Sequence, residues 1–240
     1  MILLRFNLCL FIIAMGMTTL FGCDRAREVV MPVETSVETV SYDSGYQFLS
    51  GPWLWMIAPV PSENTGGADS IDVDSLADAS DGLVTEASIA RNGARIGDSV
   101  GEFTWTLHEI LRDTVSKYEN FSDNVNEVVR GIGWYTGNVE SHSAYALLVL
   151  ESPAAQNNVR MRVSSDDAIK VWLNGEVVHT NTLNRGVPLP VATAADYQDW
   201  FTVNLQSGDN LLMVKVSEQF RAWAMFVMIE AEVNARILGE

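Results

Sequence analysis

The chain has 240 residues, 48% of them hydrophobic, enough to bury one good core. A formal net charge of −16 repels nucleic acid and anionic membrane surfaces, so neither is an electrostatic partner. The same charge favours solubility and suits divalent cations.

The chain opens with MILLRFNLCLFIIAMGMTTLFGC, one cation (Arg5) followed by an apolar run from about residue 8 to 21. That run is short for a membrane span, which needs about 20 apolar residues, and it reads as a secretory signal. Leu20-Phe21-Gly22-Cys23 resembles the lipobox of bacterial lipoproteins, with Phe21 bulkier than usual at its position. An ordinary cleaved signal or a retained helix is the alternative. Cys9 falls inside the segment that would be removed, and Cys23 is the only other cysteine. The mature chain then has no intrachain disulfide in a compartment that allows them, and Cys23 is expected to be the lipidation site. Asp24 resembles an inner-membrane retention signal, which leaves inner versus outer membrane open. The expected organisation is a lipoprotein signal peptide over 1–22, a polar tether over 23–45, one β domain over 46–232 and a C-terminal tail over 233–240. A first edge strand is the alternative reading of the tether.

Residues 51–59 (GPWLWMIAP) read as a strand bounded by prolines, with its aromatics in the core. Residues 62–82 carry Glu63, Asp69, Asp72, Asp74, Asp78 and Asp81 with no cation. Counting from Asp72, position five of a helix-loop-helix calcium motif is Leu76, so that motif fails. A solvated acidic loop is expected, with an irregular calcium site as the alternative. Residues 85–91 predict a short helix stopped by Asn92-Gly93. A strand over 103–107 and a helical turn over 108–116 follow. His108-Glu109 lacks the second histidine of a zinc-protease helix, Arg112 standing there. Residues 117–130 are polar and weakly patterned.

From residue 131 the strand signals become dense. Residues 144–150 (AYALLVL) and 222–229 (AWAMFVMI) are apolar on both faces and suit central strands. Val159, Met161 and Val163 alternate with Arg160 and Arg162; Ile169, Val171 and Leu173 alternate with Lys170 and Trp172. Asn174-Gly175 supplies two left-handed positions for a tight hairpin, pairing Trp172 with Val177, Val171 with Val178 and Lys170 with His179. Phe201, Val203 and Leu205 point inward and leave Trp200 on the outer face. Residues 207–210 (SGDN) turn the chain into Leu212, Val214 and Val216. The fold class expected is mainly β, an antiparallel β-sandwich or barrel with one or two short helices.

Three groups of residues are candidates for function. Asp166-Asp167 either caps its own turn through backbone amides, the preferred reading, or holds a cation, calcium being the cofactor left open. The loop over 181–199 is long for a compact β domain and carries Arg185, Tyr197 and Asp199, with Trp200 next to it; aromatic faces and charged groups of this kind hold sugars. His108, His142 and His179 share no ligand spacing and read as surface histidines. No G-x-S-x-G, H-E-x-x-H, C-x-x-C or phosphate-cradling glycine loop occurs, so no reaction is expected. Carboxylates are plentiful enough that a glycosidase pair stays open.

The run SSDDAIKVWLNGEVVH, followed by GDNLLMVKV about thirty residues on, resembles the galactose-binding-like jelly-roll modules that flank many bacterial glycoside hydrolases and esterases. The Ser-Asp-Asp before the strand is similar to protective-antigen-type domains, some of which bind sugars through calcium. The match covers about residues 141–231. The resemblance implies a jelly-roll sandwich and a glycan ligand; the W-x-N-G in it is a structural turn. The chain is therefore expected to be an exported, lipid-anchored, extracytoplasmic and non-catalytic module of the bacterial cell envelope. Its partners would be the membrane through its lipid and a glycan, or, as the alternative, an envelope protein in a structural or docking role.

Overall fold

The computed structural model describes residues 40–41, 46–117 and 120–238, all within one unit spanning Thr35–Glu240. Cys23, the stretch read as a signal peptide and most of the stretch read as a tether lie outside the described residues. Two short strands, β1 (Val40–Ser41) and β2 (Gln47–Phe48), pair with each other. Val40–Ser41, expected in the tether, thus joins a sheet. β3 (Trp53–Pro59) follows, then a cap made of a 3-10 turn (Gly67–Ser70), α1 (Ser75–Ala79), α2 (Glu86–Asn92) and the small ladder of β4 (Ser99–Val100) with β5 (Phe103–Thr104). Next come β6 (Thr106–His108) and α3 (Asn124–Ile132). The remainder is β7 (His142–Ser152), β8 (Gln156–Asp166), β9 (Ala168–Leu173), β10 (Glu176–Asn181), β11 (Asp199–Leu205), β12 (Gly208–Glu218), β13 (Ala224–Ile229) and β14 (Asn234–Arg236).

These strands make an antiparallel sandwich. One sheet runs β1-β2-β13-β8-β11, the other β10-β9-β12-β7-β3-β6, with β14 adding to β7. Residues 234–236, expected in a tail, are therefore sheet. Trp53, Trp55, Ile57, Ala146, Leu148, Val171, Val214, Met161, Val163 and Val227 fill the space between the sheets. A second cluster covers the outer face of the larger sheet: Leu54, Met56, Tyr145, Leu147, Trp172 and Met213 pack under Leu76, Ile89, Ala90 and Trp105 of the cap. Being covered on both faces is why β3 is apolar at every position and β7 is apolar from Ala144 to Leu150.

The cap is held by one buried cation. Lys215, fully buried on β12, donates to the carbonyls of Ser70 (3.0 Å) and Ile71 (3.1 Å) and to Glu86 Oε1 (2.8 Å), which also accepts from Tyr145 (2.7 Å). Asp74 accepts from the amides of Ala77 and Glu86 and so caps the starts of both α1 and α2. The acidic stretch expected to be solvated is in part this clamp. Helix α2 begins at Thr85 with a reciprocal capping box and ends at Gly93, as its sequence predicts.

Three expectations change. Residues 109–116 form no helix, and Val115 instead bridges Ser122. Helix α3, in the stretch read as unpatterned, makes three helices among the described residues rather than one or two. It buries Val125, Val128 and Val129, while the Asn124 side chain accepts from Met225 N (2.9 Å) and donates to Met225 O (3.0 Å), docking the helix on β13. Third, the β9–β10 hairpin starts as expected, with Asn174 at φ 53, Gly175 at φ 86 and Trp172 opposite Val177. The register then shifts between Val177 and His179, so Val171 faces His179 and Lys170 faces Thr180. One extra residue in β10 moves every later pair by one position.

Candidate functional site

Two crossings between the sheets lie side by side at one end of the sandwich. β8 leaves the smaller sheet at Asp166 and β9 starts in the larger one at Ala168, through an Asp166–Asp167 peptide that is cis. β12 leaves the larger sheet at Glu218 and β13 enters the smaller one at Ala224. The register brings the crossings together: Ser217 faces Ala168, so the next positions are Glu218 and Asp167, while Asp166 faces Ala224.

The result is a cluster of three buried carboxylates, Asp166, Asp167 and Glu218, each offering an oxygen within 4.8 Å of the others. Asp167 accepts from two distant amides, Arg185 N (3.0 Å) and Gln219 N (2.9 Å). Glu218 is 0% exposed and neither of its carboxylate oxygens has a hydrogen-bond partner. Burial, then the charges of Asp167 and Asp166, push its carboxyl up to about 11. Burial, then Asp167 and Asp123, push Asp166 up to about 8; burial also raises Asp167, against the two amides that favour its charged form. Carboxylates this close without a cation must share protons, because like charges in a dry site cannot all ionise. The donor set is all hard oxygen, which fits calcium better than a nitrogen- or sulfur-seeking metal, and Glu218 has both oxygens to give.

Above the acids lies a cavity of about 300 Å³ whose lining includes Asp166, Asp167, Asn184, Gln219 and Arg221. Phe121 and Phe220, 40% and 50% exposed, stand at its rim. Two glycines make the close approaches. A Cβ on Gly186 would meet the Phe121 ring at 2.4 Å and Asp166 Oδ2 at 3.3 Å, so a side chain there would have to push that ring aside. A Cβ on Gly66 (φ +86) would sit 1.9 Å from Glu218 O, where the cap backbone touches the end of β12.

The candidate loop residues divide between several places. Arg185 lines the cavity, but its guanidinium is engaged with Asp199 Oδ2 (2.6 Å) and Ser165 Oγ (3.1 Å). Asp199 also contacts His179 Nε2 (3.1 Å), whose ring stacks on Phe201 at 4.7 Å. His179, read as a surface histidine opposite Lys170, is thus part of an internal network. Tyr197 is 7% exposed and packs edge-on against Phe226 at 6.5 Å, which puts it in the core and not on a ligand surface. Trp200 is 62% exposed on the outer face of the smaller sheet, beside Arg160 rather than Arg185. Asp167 bonds the amides of Arg185 and Gln219 in other segments, which differs from the own-turn capping preferred on sequence. Glu218, Phe121 and Phe220 were not anticipated. Glu218 did carry a signal: it falls in phase with Leu212, Val214 and Val216, an acid on the inward face of its strand.

No family model matches the chain, and no curated protein is similar to it. Among solved structures, the chain is similar to the PA14 domain of the MpAFP antifreeze protein, with a TM-score of 0.41 and 12% identity. That match covers 82% of this chain and 95% of the other. The architecture of the described residues is mainly β, in antiparallel sheets with three helices.

Proposed function

We propose that this protein is an exported, lipid-anchored, non-catalytic binding module of the bacterial cell envelope, and that it holds a glycan through a calcium ion. The observation that carries the site is the buried Asp166–Asp167–Glu218 cluster, with both Glu218 oxygens lacking a partner. Calcium takes six to eight oxygens. Three carboxylates supply part of that number, and the side facing the cavity is where ligand hydroxyls would complete it. Phe121 and Phe220 offer apolar faces to the C–H surface of a sugar ring at the mouth. The anchoring rests on Leu20-Phe21-Gly22-Cys23, and two or more acyl chains at Cys23 would make it stable.

Calorimetric titration of the chelator-treated protein with calcium, then a glycan array with and without calcium, tests the site. Calcium binding that disappears in Asp166→Asn and Asp167→Asn, with array signals that need calcium, is the expected outcome. Absence of calcium binding in the wild type refutes the cation reading. Calcium binding without any glycan signal supports a structural or protein-docking role instead. Cys23→Ser should move the protein from the detergent phase to the soluble fraction; unchanged membrane association would refute lipidation.

A further inference from the structure

The outer face of the smaller sheet carries a second arrangement, unconnected to the acid cluster. Because Val159, Met161 and Val163 point inward, Arg160 and Arg162 stand side by side on the outside of β8. Trp200 of β11 is the cross-strand partner of Arg162, and its ring lies under the Arg160 guanidinium at 5.4 Å. The Tyr46 ring lies under Arg162 at 5.3 Å, and its hydroxyl oxygen accepts from both arginines, at 3.2 and 3.4 Å. Each guanidinium therefore rests on an aromatic ring and the two are tied through one phenol. Among the described residues the nearest carboxylate, Glu230, is a loose 3.9 Å from Arg160.

In a chain with 31 acidic and 15 basic residues, two adjacent arginines held by rings rather than by acids run against the general charge. A guanidinium offers five N–H donors in a rigid fork matched to carboxylates, and a ring beneath it fixes the fork without consuming its charge. Trp200, 62% exposed, adds an open apolar face beside the pair. Nucleic acid has fork-binding anions too, but its dense line of charge meets the repulsion of the whole acidic molecule. A carboxylated glycan has one charge per ring at most and an apolar ring face for the indole; at physiological salt, repulsion from distant acids is screened beyond about 8 Å.

We propose that Tyr46, Arg160, Arg162 and Trp200 form a second glycan site, selective for sugars that carry carboxylates and independent of calcium. Its ligand would lie flat across β8 and β11, with the indole stacked on one ring and the guanidiniums on the carboxylates.

The test is affinity electrophoresis of the full chain in chelator, through gels holding polygalacturonate, the same polymer with its carboxylates methyl-esterified, or duplex DNA. Retardation by polygalacturonate alone is expected. Arg160→Gln/Arg162→Gln and, separately, Trp200→Ala should each weaken it about tenfold. Asp166→Asn should leave it unchanged, which separates this site from the calcium reading. No retardation of the wild type, equal retardation by the esterified polymer or by DNA, or wild-type behaviour of both arginine and tryptophan variants would each overturn the proposal. If the arginine pair proves necessary for folding, Trp200→Ala, an exposed position, decides the matter alone.

Discussion

Replacing Glu218 by glutamine should raise the stability of the metal-free protein while lowering its response to calcium. The side chain is fully buried, its two oxygens accept no hydrogen bond, and two other carboxyls lie within 4.8 Å. Glutamine keeps the shape, removes the charge and brings an NH2 that can donate to Asp166 or Asp167. An unsatisfied buried polar group costs about 1–3 kcal/mol. Recovering about 2 kcal/mol of that corresponds to about 4–8 °C in melting temperature for a domain of this size. In the wild type, calcium at a hundredfold excess over its dissociation constant should add about 2.7 kcal/mol. That is about 5–11 °C, and the variant should lose most of it. Differential scanning fluorimetry in chelator and in calcium reads both effects. A merely structural Glu218 gives the opposite pattern, a lower melting temperature in chelator and an unchanged calcium shift, and that result would refute the reasoning.

Lys215→Met should cost about 3–5 kcal/mol, because it leaves Glu86 charged and buried; adding Glu86→Gln should recover part of the loss in thermal denaturation. Gly66→Ala should destabilise the domain by about 1–3 kcal/mol, since the new Cβ meets the Glu218 carbonyl at a left-handed position; an unchanged melting temperature would mean the cap does not touch β12 there. Burial pushes the Asp199 carboxyl up, but hydrogen bonds from His179 and Arg185, with their charges, outweigh it and hold it well below the usual carboxylate range. A depressed folded value contributes stability above the unfolded value of about 3.9 that is lost as pH falls below it. Asp199→Asn should therefore melt below wild type at pH 7, with the gap closing toward pH 2.

What the sequence made legible was local. Asn174-Gly175 specifies its hairpin because both residues tolerate left-handed backbone, and alternation placed Trp200 outward correctly. The bulge after Val177 left no mark, since Val178 is as good a strand residue as its neighbours. Helix α3 was obscured by Asn124 and Asn126, which are buried yet polar because they bond distant backbone and turn groups. Val125, Val128, Val129 and Ile132 nonetheless keep helical spacing. Tyr197 read as a ligand residue because loop position alone says nothing about whether a side chain folds back onto Phe226. Of the acid cluster, the adjacent pair Asp166-Asp167 was visible; Glu218 stood out only as an acid in phase with its strand's inward residues, because no local pattern joins residues on separate crossings.

What joins them is register, and register is set at the far end of the sandwich. There Asn174 Oδ1 accepts from Leu211 N (2.8 Å), its Nδ2 donates to Asn210 Oδ1 (3.0 Å), and its backbone N–H donates to Leu211 O. These bonds lock the β9–β10 hairpin to the start of β12, and six consecutive pairs from Leu212–Leu173 to Ser217–Ala168 carry the alignment across the sheet. A slip of one residue would turn Glu218 from the inward face to the outward face, because side chains alternate at period two. The same slip would put Lys215 between the sheets instead of under the cap. The buried lysine and the buried glutamate therefore guard one register from opposite faces of β12. Lys215 finds its carbonyls and Glu86 only when Glu218 stands beside Asp167. An acid cluster that opposes folding is thus fixed in place by a cation that the same strand presents to its other side.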